Sequence, residues 1–131
     1  PLSVWALNKN HEYAVFEAGI SKLNEMEKLE KIIQPEIGII TNIGDAHQEN
    51  FPDIETKIKE KLKLFTNSKS IYHCKDHTLI NNQISNTKAL VDKKIYNWSK
   101  EEKADLQVIQ VDKNSHFTNI YYIFNNFLVF I

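Results

Sequence analysis

The chain reads PEIGIITNIG at residues 35–44, an order that is typical of a buried strand in a parallel sheet. Pro35 ends any helix that precedes it. Residues 37–40 form a short continuous apolar run, as strands covered on both faces do. Thr41 and Asn42 follow at the strand end, where parallel sheets bind their ligands. These residues predict a parallel α/β sheet with a polar edge.

Strands and helices alternate around this run through the first two-thirds of the chain. We expect strands at residues 13–16, 37–40 and 70–74, and helices at residues 21–33, 53–65 and 76–84. Ser21 and Asp76 are the expected caps of the first and third helices, and Pro52-Asp53 opens the second. The alternation predicts a three-layer α/β sandwich, in which a mostly parallel sheet carries helices on both faces.

The last third of the chain has short alternating runs instead. The expected strands are residues 94–98, 106–111 and 120–124, and Asn125-Asn126 separates two apolar runs as the turn of a hairpin does. We therefore expect one partial domain over residues 1–131. It would consist of a parallel α/β part at residues 1–84 and an antiparallel extension at residues 94–131.

The composition excludes several classes of protein. A chain of 131 residues with 42% hydrophobic residues forms one domain with a core. Its 16 basic residues, all lysine, are balanced by 17 acidic residues, so no nucleic-acid partner is expected. The single cysteine, Cys74, excludes an internal disulfide and favours a reducing compartment, the cytoplasm. No apolar run is long enough for a membrane span, so no membrane partner is expected.

Both ends of the chain are unusual for a natural domain. The chain begins without methionine and ends on five apolar residues, whereas chain termini usually lie in solvent. We interpret the chain as part of a longer protein.

Two candidate site residues follow the predicted strands. Glu17 comes directly after residues 13–16, and His47 lies a few residues beyond Thr41 and Asn42. An acidic residue at the end of a buried strand is suited to hold Mg²⁺ near a nucleotide. The alternative is that Glu17 only caps the next turn, and the local sequence leaves both interpretations open.

The helix expected at residues 53–65 carries a third candidate, Lys61. Its apolar stripe consists of Ile54, Ile58, Leu62 and Phe65. Lys61 falls on this stripe, while Lys59 and Lys63 lie opposite and Lys57 lies at the margin, so these three are expected to face solvent. A desolvated lysine has a lowered pKa and can react. Periodicity alone favours the alternative, in which Lys61 extends along the surface to water.

Several separated motifs occur in one order and together resemble the central ATPase domain of the Mur ligases, which build the peptide stem of peptidoglycan. They are FEAGIS at residues 16–21, Glu25-Met26, the run from Ile33 to Phe51, and Lys61-x-x-Leu64-Phe65. The resemblance covers essentially the whole chain, although the last third matches in pattern only. Within the family, the motifs are most similar to the enzymes that add D-alanyl-D-alanine to UDP-N-acetylmuramoyl-tripeptide.

This resemblance implies a function and a set of site residues. The expected activity is ATP-dependent amide-bond ligation through an acyl phosphate, with ATP and Mg²⁺ as cofactors and those two compounds as substrates. Glu17, His47 and a carbamylated Lys61 would be the catalytic and metal-binding residues. Thr41 and Asn42 would lie beside the phosphates of ATP. Carbamylation needs a neutral amine, which agrees with a partly desolvated Lys61.

Other features limit what the chain does alone, and other hypotheses stay open. None of its three glycines precedes Lys-Ser or Lys-Thr, so the P-loop lies outside this sequence. The amino- and carboxy-terminal domains of the family are also outside it, and the isolated chain is expected to be inactive. The alternatives are another Mur ligase or a folylpolyglutamate synthase and, in a different class, a non-catalytic α/β binding module.

Overall fold

The computed structural model describes residues 2–44 and 46–130. Within them three α-helices form, α1 (Met26–Ile33), α2 (Ile54–Leu62) and α3 (Thr78–Asn86). The strands are β1 (Ile37–Ile40), β2 (Ser70–Cys74), β3 (Lys94–Ser99), β4 (Leu106–Lys113), β5 (Thr118–Phe124) and β6 (Phe127–Phe130). Short 3-10 helices cover Leu2–Ala6, Gln48–Asn50, Lys63–Phe65 and Lys88–Leu90. Over these residues, no helix is both long enough and apolar enough to cross a membrane.

The six strands form one sheet in the order of the chain, from β1 to β6. Neighbours from β1 to β4 are parallel, and neighbours from β4 to β6 are antiparallel. The predicted mixed sheet with a carboxy-terminal hairpin is therefore confirmed. The hairpin turn residues Asn125 and Asn126 have φ angles of 51° and 65°, the left-handed values that suit the twist of a two-residue turn.

The antiparallel part begins later in the chain than predicted. The prediction makes residues 94–98 the first strand of the antiparallel extension. In the structure these residues belong to β3, which pairs in parallel with β2, with Ser70 opposite Lys94. β4 is also parallel to β3, and only Leu106 and Gln107 at its start are paired with β3. Because only the start of β4 meets the end of β3, the chain needs no long crossover between them. The rest of β4 extends beyond the parallel strands and pairs with β5.

The helices pack on one face of the parallel strands. The buried core that joins them is a single cluster of Met26, Ile40, Ile58, Leu62, Leu64, Phe65, Ile71, Ile80, Ile84 and Leu90. On the opposite face Ile37 and Ile39 are each 59% exposed. Residues 2–44 and 46–130 thus form two layers, and the third layer of the predicted sandwich does not come from them. The apolar run of β1 has side chains for both faces, because neighbouring residues of a strand point to opposite sides.

The strand predicted at residues 13–16 is not formed. The segment is irregular, and Tyr13 is 87% exposed and Val15 97% exposed. A strand persists only when a neighbour accepts and donates its backbone hydrogen bonds. β1 lies at the edge of the sheet and pairs with β2 on one side, and residues 13–16 do not pair with its outer edge.

Two of the predicted helix caps are also wrong. α1 begins at Met26, and the amide of Ser21 instead donates to Glu25 Oε2 at 2.8 Å. α3 begins at Thr78, and Asp76 accepts from the amide of Lys100 at 2.8 Å. Short polar side chains bind whichever backbone group the tertiary structure brings near, so a local cap pattern is easily overridden. α2 does start as predicted, because Asp53 Oδ1 accepts from the amide of Thr56 at 2.6 Å.

Gly38 brings two of the sequence motifs together in space. The ring of Phe65 lies so close to Gly38 that a Cβ at this position would overlap it. The glycine therefore lets the segment after α2 pack directly against β1. This contact joins the end of the Lys61-x-x-Leu64-Phe65 motif to the strand that precedes Thr41 and Asn42.

His73 on β2 makes the stability of the fold depend on pH. The residue is 1% exposed, and burial lowers the pKa of its imidazole, against smaller opposing effects of the Cys74 carbonyl and Asp105. The unfolded chain therefore binds a proton at a pH where the folded chain does not. We expect the free energy of unfolding to fall as the pH drops below the ordinary histidine value of 6.5. Urea unfolding at a series of pH values measures this slope.

A matched pair of variants separates His73 from the other titrating groups. His73→Gln should flatten the slope, because glutamine takes up no proton in either state. His116→Gln should leave it unchanged, because His116 is exposed. The same slope in wild type and His73→Gln would contradict the expectation.

Candidate functional site

Helix α2 organises the candidate site through two lysines that are one turn apart, Lys57 and Lys61. Residues four apart on a helix lie on the same face. Lys61 reaches the segment that carries Glu17, and Lys57 reaches the loop that carries His47. One helix therefore contacts both segments in which sequence reasoning finds site residues.

Lys61 is half-buried and donates from Nζ to the carbonyl oxygen of Ala18. Burial lowers the pKa of this amine, and the carboxylates of Glu17 and Glu25 partly oppose that effect. The alternative that Lys61 runs freely out to water is therefore not what the structure shows. An amine with a lowered pKa has a larger neutral fraction near neutral pH, and the neutral form is the one that reacts with electrophiles.

Glu17 lies next to Ala18 in the irregular segment and its side chain is exposed. An open groove of about 640 Å³ runs between this segment and α1, and Glu17 and Glu25 both line it. The carboxylate is thus close enough to Lys61 to affect its pKa and is also accessible from solvent. These two predicted site residues are brought together.

Glu25 is a neighbour of Lys61 that sequence reasoning did not select. Its Oε2 accepts from the amides of Ser21 at 2.8 Å and Lys22 at 3.4 Å, which closes the turn before α1. It also contributes negative charge near Lys61. The sequence signal that could have identified Glu25 is its place in the Glu25-Met26 motif, because a motif residue in a turn often stabilises that turn.

The prediction for Lys57 is wrong. Its position at the margin of the helical stripe predicts a solvent-facing side chain. It is 2% exposed. Its Nζ donates to the carbonyl oxygens of Gly44 at 2.6 Å and Ala46 at 2.5 Å. The spacing of four residues from Lys61 was the signal that could have placed it on the same face.

His47 has left-handed backbone angles, φ 60° and ψ 22°, and begins the 3-10 helix Gln48–Asn50. Its side chain is 56% exposed, and its Nδ1 lies 3.9 Å from Glu49 Oε1. The structure therefore pairs His47 with Glu49 and not with Glu17. Such backbone angles are uncommon for a residue other than glycine and cost free energy that surrounding contacts must offset.

Thr41 and Asn42 lie at the carboxyl end of β1, where they were predicted, and both are exposed. Asn42 Oδ1 accepts from the amide of Ile43 at 2.7 Å, so its side chain is bonded to the backbone at the start of the loop. Across residues 2–44 and 46–130, no three His, Cys, Asp or Glu side chains converge as a metal site. The predicted metal-binding set has only two such residues, so its third ligand would have to be a modified Lys61.

Comparisons with known proteins identify the family. A family model described as "Mur ligase middle domain" matches residues 2–129. The UDP-N-acetylmuramoyl-tripeptide–D-alanyl-D-alanine ligase of Borreliella burgdorferi is 43% identical over 72 residues, which are 55% of this chain and 16% of that protein. The ligase of the same name from Bacillus subtilis is 31% identical over 122 residues, which are 90% of this chain and 26% of that protein.

Solved structures share the fold. A crystal structure of MurF from Acinetobacter baumannii matches with a TM-score of 0.80 at 21% identity, covering 95% of this chain and 27% of that one. The MurF ligase from Thermotoga maritima in complex with ADP matches with a TM-score of 0.68 at 18% identity, covering 85% of this chain and 25% of that one. The chain thus spans about a quarter or less of the length of these proteins.

Proposed function

Because this chain belongs to the Mur ligase family, as the middle domain, we propose that it is the ATPase domain of a cytoplasmic ligase that joins D-alanyl-D-alanine to UDP-N-acetylmuramoyl-tripeptide. The observation that carries the proposal is the half-buried Lys61 beside the carboxylate of Glu17. A solvent-facing lysine would lack the burial that lowers the pKa of Lys61. The named relatives support this choice of substrates over folate and glutamate.

Lys61 has the environment that carbamylation requires. The neutral amine attacks CO₂: an N–C bond forms, one C=O π bond of CO₂ becomes a C–O⁻, and the nitrogen loses one proton to solvent. Burial favours the neutral amine that this reaction needs. The product is an anion with two oxygens in place of a cation. In this proposal the carbamate replaces the positive charge beside Glu17 with a further oxygen ligand.

The donor chemistry of the site fits Mg²⁺ once Lys61 is carbamylated. Mg²⁺ prefers oxygen ligands, and the exposed Glu17 carboxylate and a Lys61 carbamate would supply them, with His47 as a further ligand. When bound, the ion would neutralise charge on the phosphates during phosphoryl transfer. Thr41 and Asn42, at the carboxyl end of β1, would position the nucleotide.

The experiment that tests the function uses the full-length protein that carries this chain. Phosphate release from ATP should require both UDP-N-acetylmuramoyl-tripeptide and D-alanyl-D-alanine, and the ligated product should form in equal amount. The 131-residue chain alone is the control, and it should release no phosphate because its sequence contains no P-loop to hold the β- and γ-phosphates. Release that requires a folate and glutamate instead would overturn the proposal, and so would turnover by the isolated chain.

A further inference from the structure

We propose that Lys57 is a positioning residue for His47. From inside the protein, its side chain holds in place the backbone at Gly44 and Ala46 and the ring of Phe51, on either side of His47. The inference rests on the proposed function only in taking His47 as a metal ligand. The first part of the proposal, that Lys57 fixes the loop, depends only on the contacts of Lys57.

The contacts of Lys57 enclose the backbone on the amino-terminal side of His47. Nζ bonds the carbonyl oxygens of Gly44 and Ala46, two residues that precede His47 closely. Hydrogen bonds from a charged donor are stronger than those between neutral groups, and burial removes competing water. A side chain that is 2% exposed and bonded twice to one loop fixes the path of that loop.

Phe51 closes the other end of the same loop. Its ring is 6% exposed, and the ammonium of Lys57 lies 5.8 Å from the ring centre, within the range of a cation–π contact. The loop is therefore attached to Lys57 both before and after His47. Between these attachments the chain forms the hydrogen bond from the Asn50 amide to the His47 carbonyl, at 3.1 Å.

The left-handed backbone of His47 explains why such an anchor matters. This conformation costs free energy, and the mostly exposed imidazole offsets little of it through its 3.9 Å contact with Glu49. In this proposal the carbonyl contacts of Lys57 offset the cost, together with the hydrogen bond from the Asn50 amide to the His47 carbonyl. Without the ammonium, the loop should relax and His47 should leave its present orientation for part of the time.

Hydrogen exchange of the full-length protein tests, without any assay of activity, whether Lys57 fixes the loop. Lys57→Met keeps the length and apolar stem of the side chain and removes the donors. We expect the amides of Asn50 and Phe51 to exchange about tenfold faster or more in this variant. Lys59→Met is the matched control, since Lys59 is an exposed lysine on the same helix, and its loop should exchange as in wild type. If Lys57→Met does not fold, Lys57→Gln, which retains a donor, should still exchange faster than wild type at Asn50 and Phe51, by less than about tenfold. Unchanged loop exchange in whichever variant folds would overturn the proposal.

The Mg²⁺ dependence of ligation tests whether the anchor acts through His47. Lys57→Met should raise the Mg²⁺ concentration for half-maximal ligation about tenfold, while Lys59→Met leaves it unchanged. In a His47→Ala background the same substitution should raise it no further, because coupled residues are not additive. An equal rise in both backgrounds, or no rise at all, would overturn the role toward His47. A wild-type protein that ligates nothing would instead contradict the proposed function, and the exchange result would then still decide whether Lys57 holds the loop.

Discussion

Lys61→Ala in the full-length ligase should lower kcat about 10²–10³-fold, the usual cost of losing one electrostatic group at a reacting centre. The substitution removes the amine that would be carbamylated, and with it the oxygen ligand beside Glu17. The measurement is ligation rate at saturating substrates, together with a melting temperature that shows the variant is folded. Short carboxylic acids should partly restore activity, because they can occupy the space of the missing carbamate.

Lys59→Ala is the matched control for this experiment, because Lys59 is exposed on the same helix. This substitution should leave kcat almost unchanged. Lys63, which helical geometry also places on the outer side, is a poorer control. Its Nζ lies 2.7 Å from Oε2 of Glu60, whose side chain is 1% exposed, so removing it leaves a buried carboxylate without this partner. A variant series in which Lys59→Ala is inactive and Lys61→Ala is active would show that the assigned role of Lys61 is wrong.

Leu62→Ala should lower the free energy of unfolding of the chain by about 2–5 kcal/mol, the range for removing a large buried aliphatic side chain. Leu62 is 2% exposed and belongs to the cluster that joins α2 to β1 and β2. Because a domain of this size is stable by only about 5–15 kcal/mol, a large share of its stability would be lost. Urea unfolding followed by circular dichroism measures the change.

Leu79→Ala makes the same chemical change on α3 at a residue that is 48% exposed. It should cost much less, since little packing is lost and no closed cavity forms. Similar losses for the two variants would mean that the helices do not pack on the sheet as described.

The sequence determined the elements whose signals are local. The cap of Asp53 and the turn at Asn125-Asn126 each depend on interactions within a few residues, and each is found where predicted. Helical periodicity also placed Lys61 on the side of α2 that faces the protein. The order of the motifs from residue 16 to residue 65 indicated the family that the match over residues 2–129 shows.

Only the tertiary structure decided which segments found partners. Residues 13–16 have a strand-like composition but are unpaired in the described chain. β3 belongs to the parallel part of the sheet because it pairs with β2. Lys57 became a buried donor because the carbonyl oxygens of Gly44 and Ala46 lie within hydrogen-bond distance of its Nζ. Strand pairing and the burial of a lysine both depend on residues distant in the sequence, and local patterns carry no information about how those residues approach.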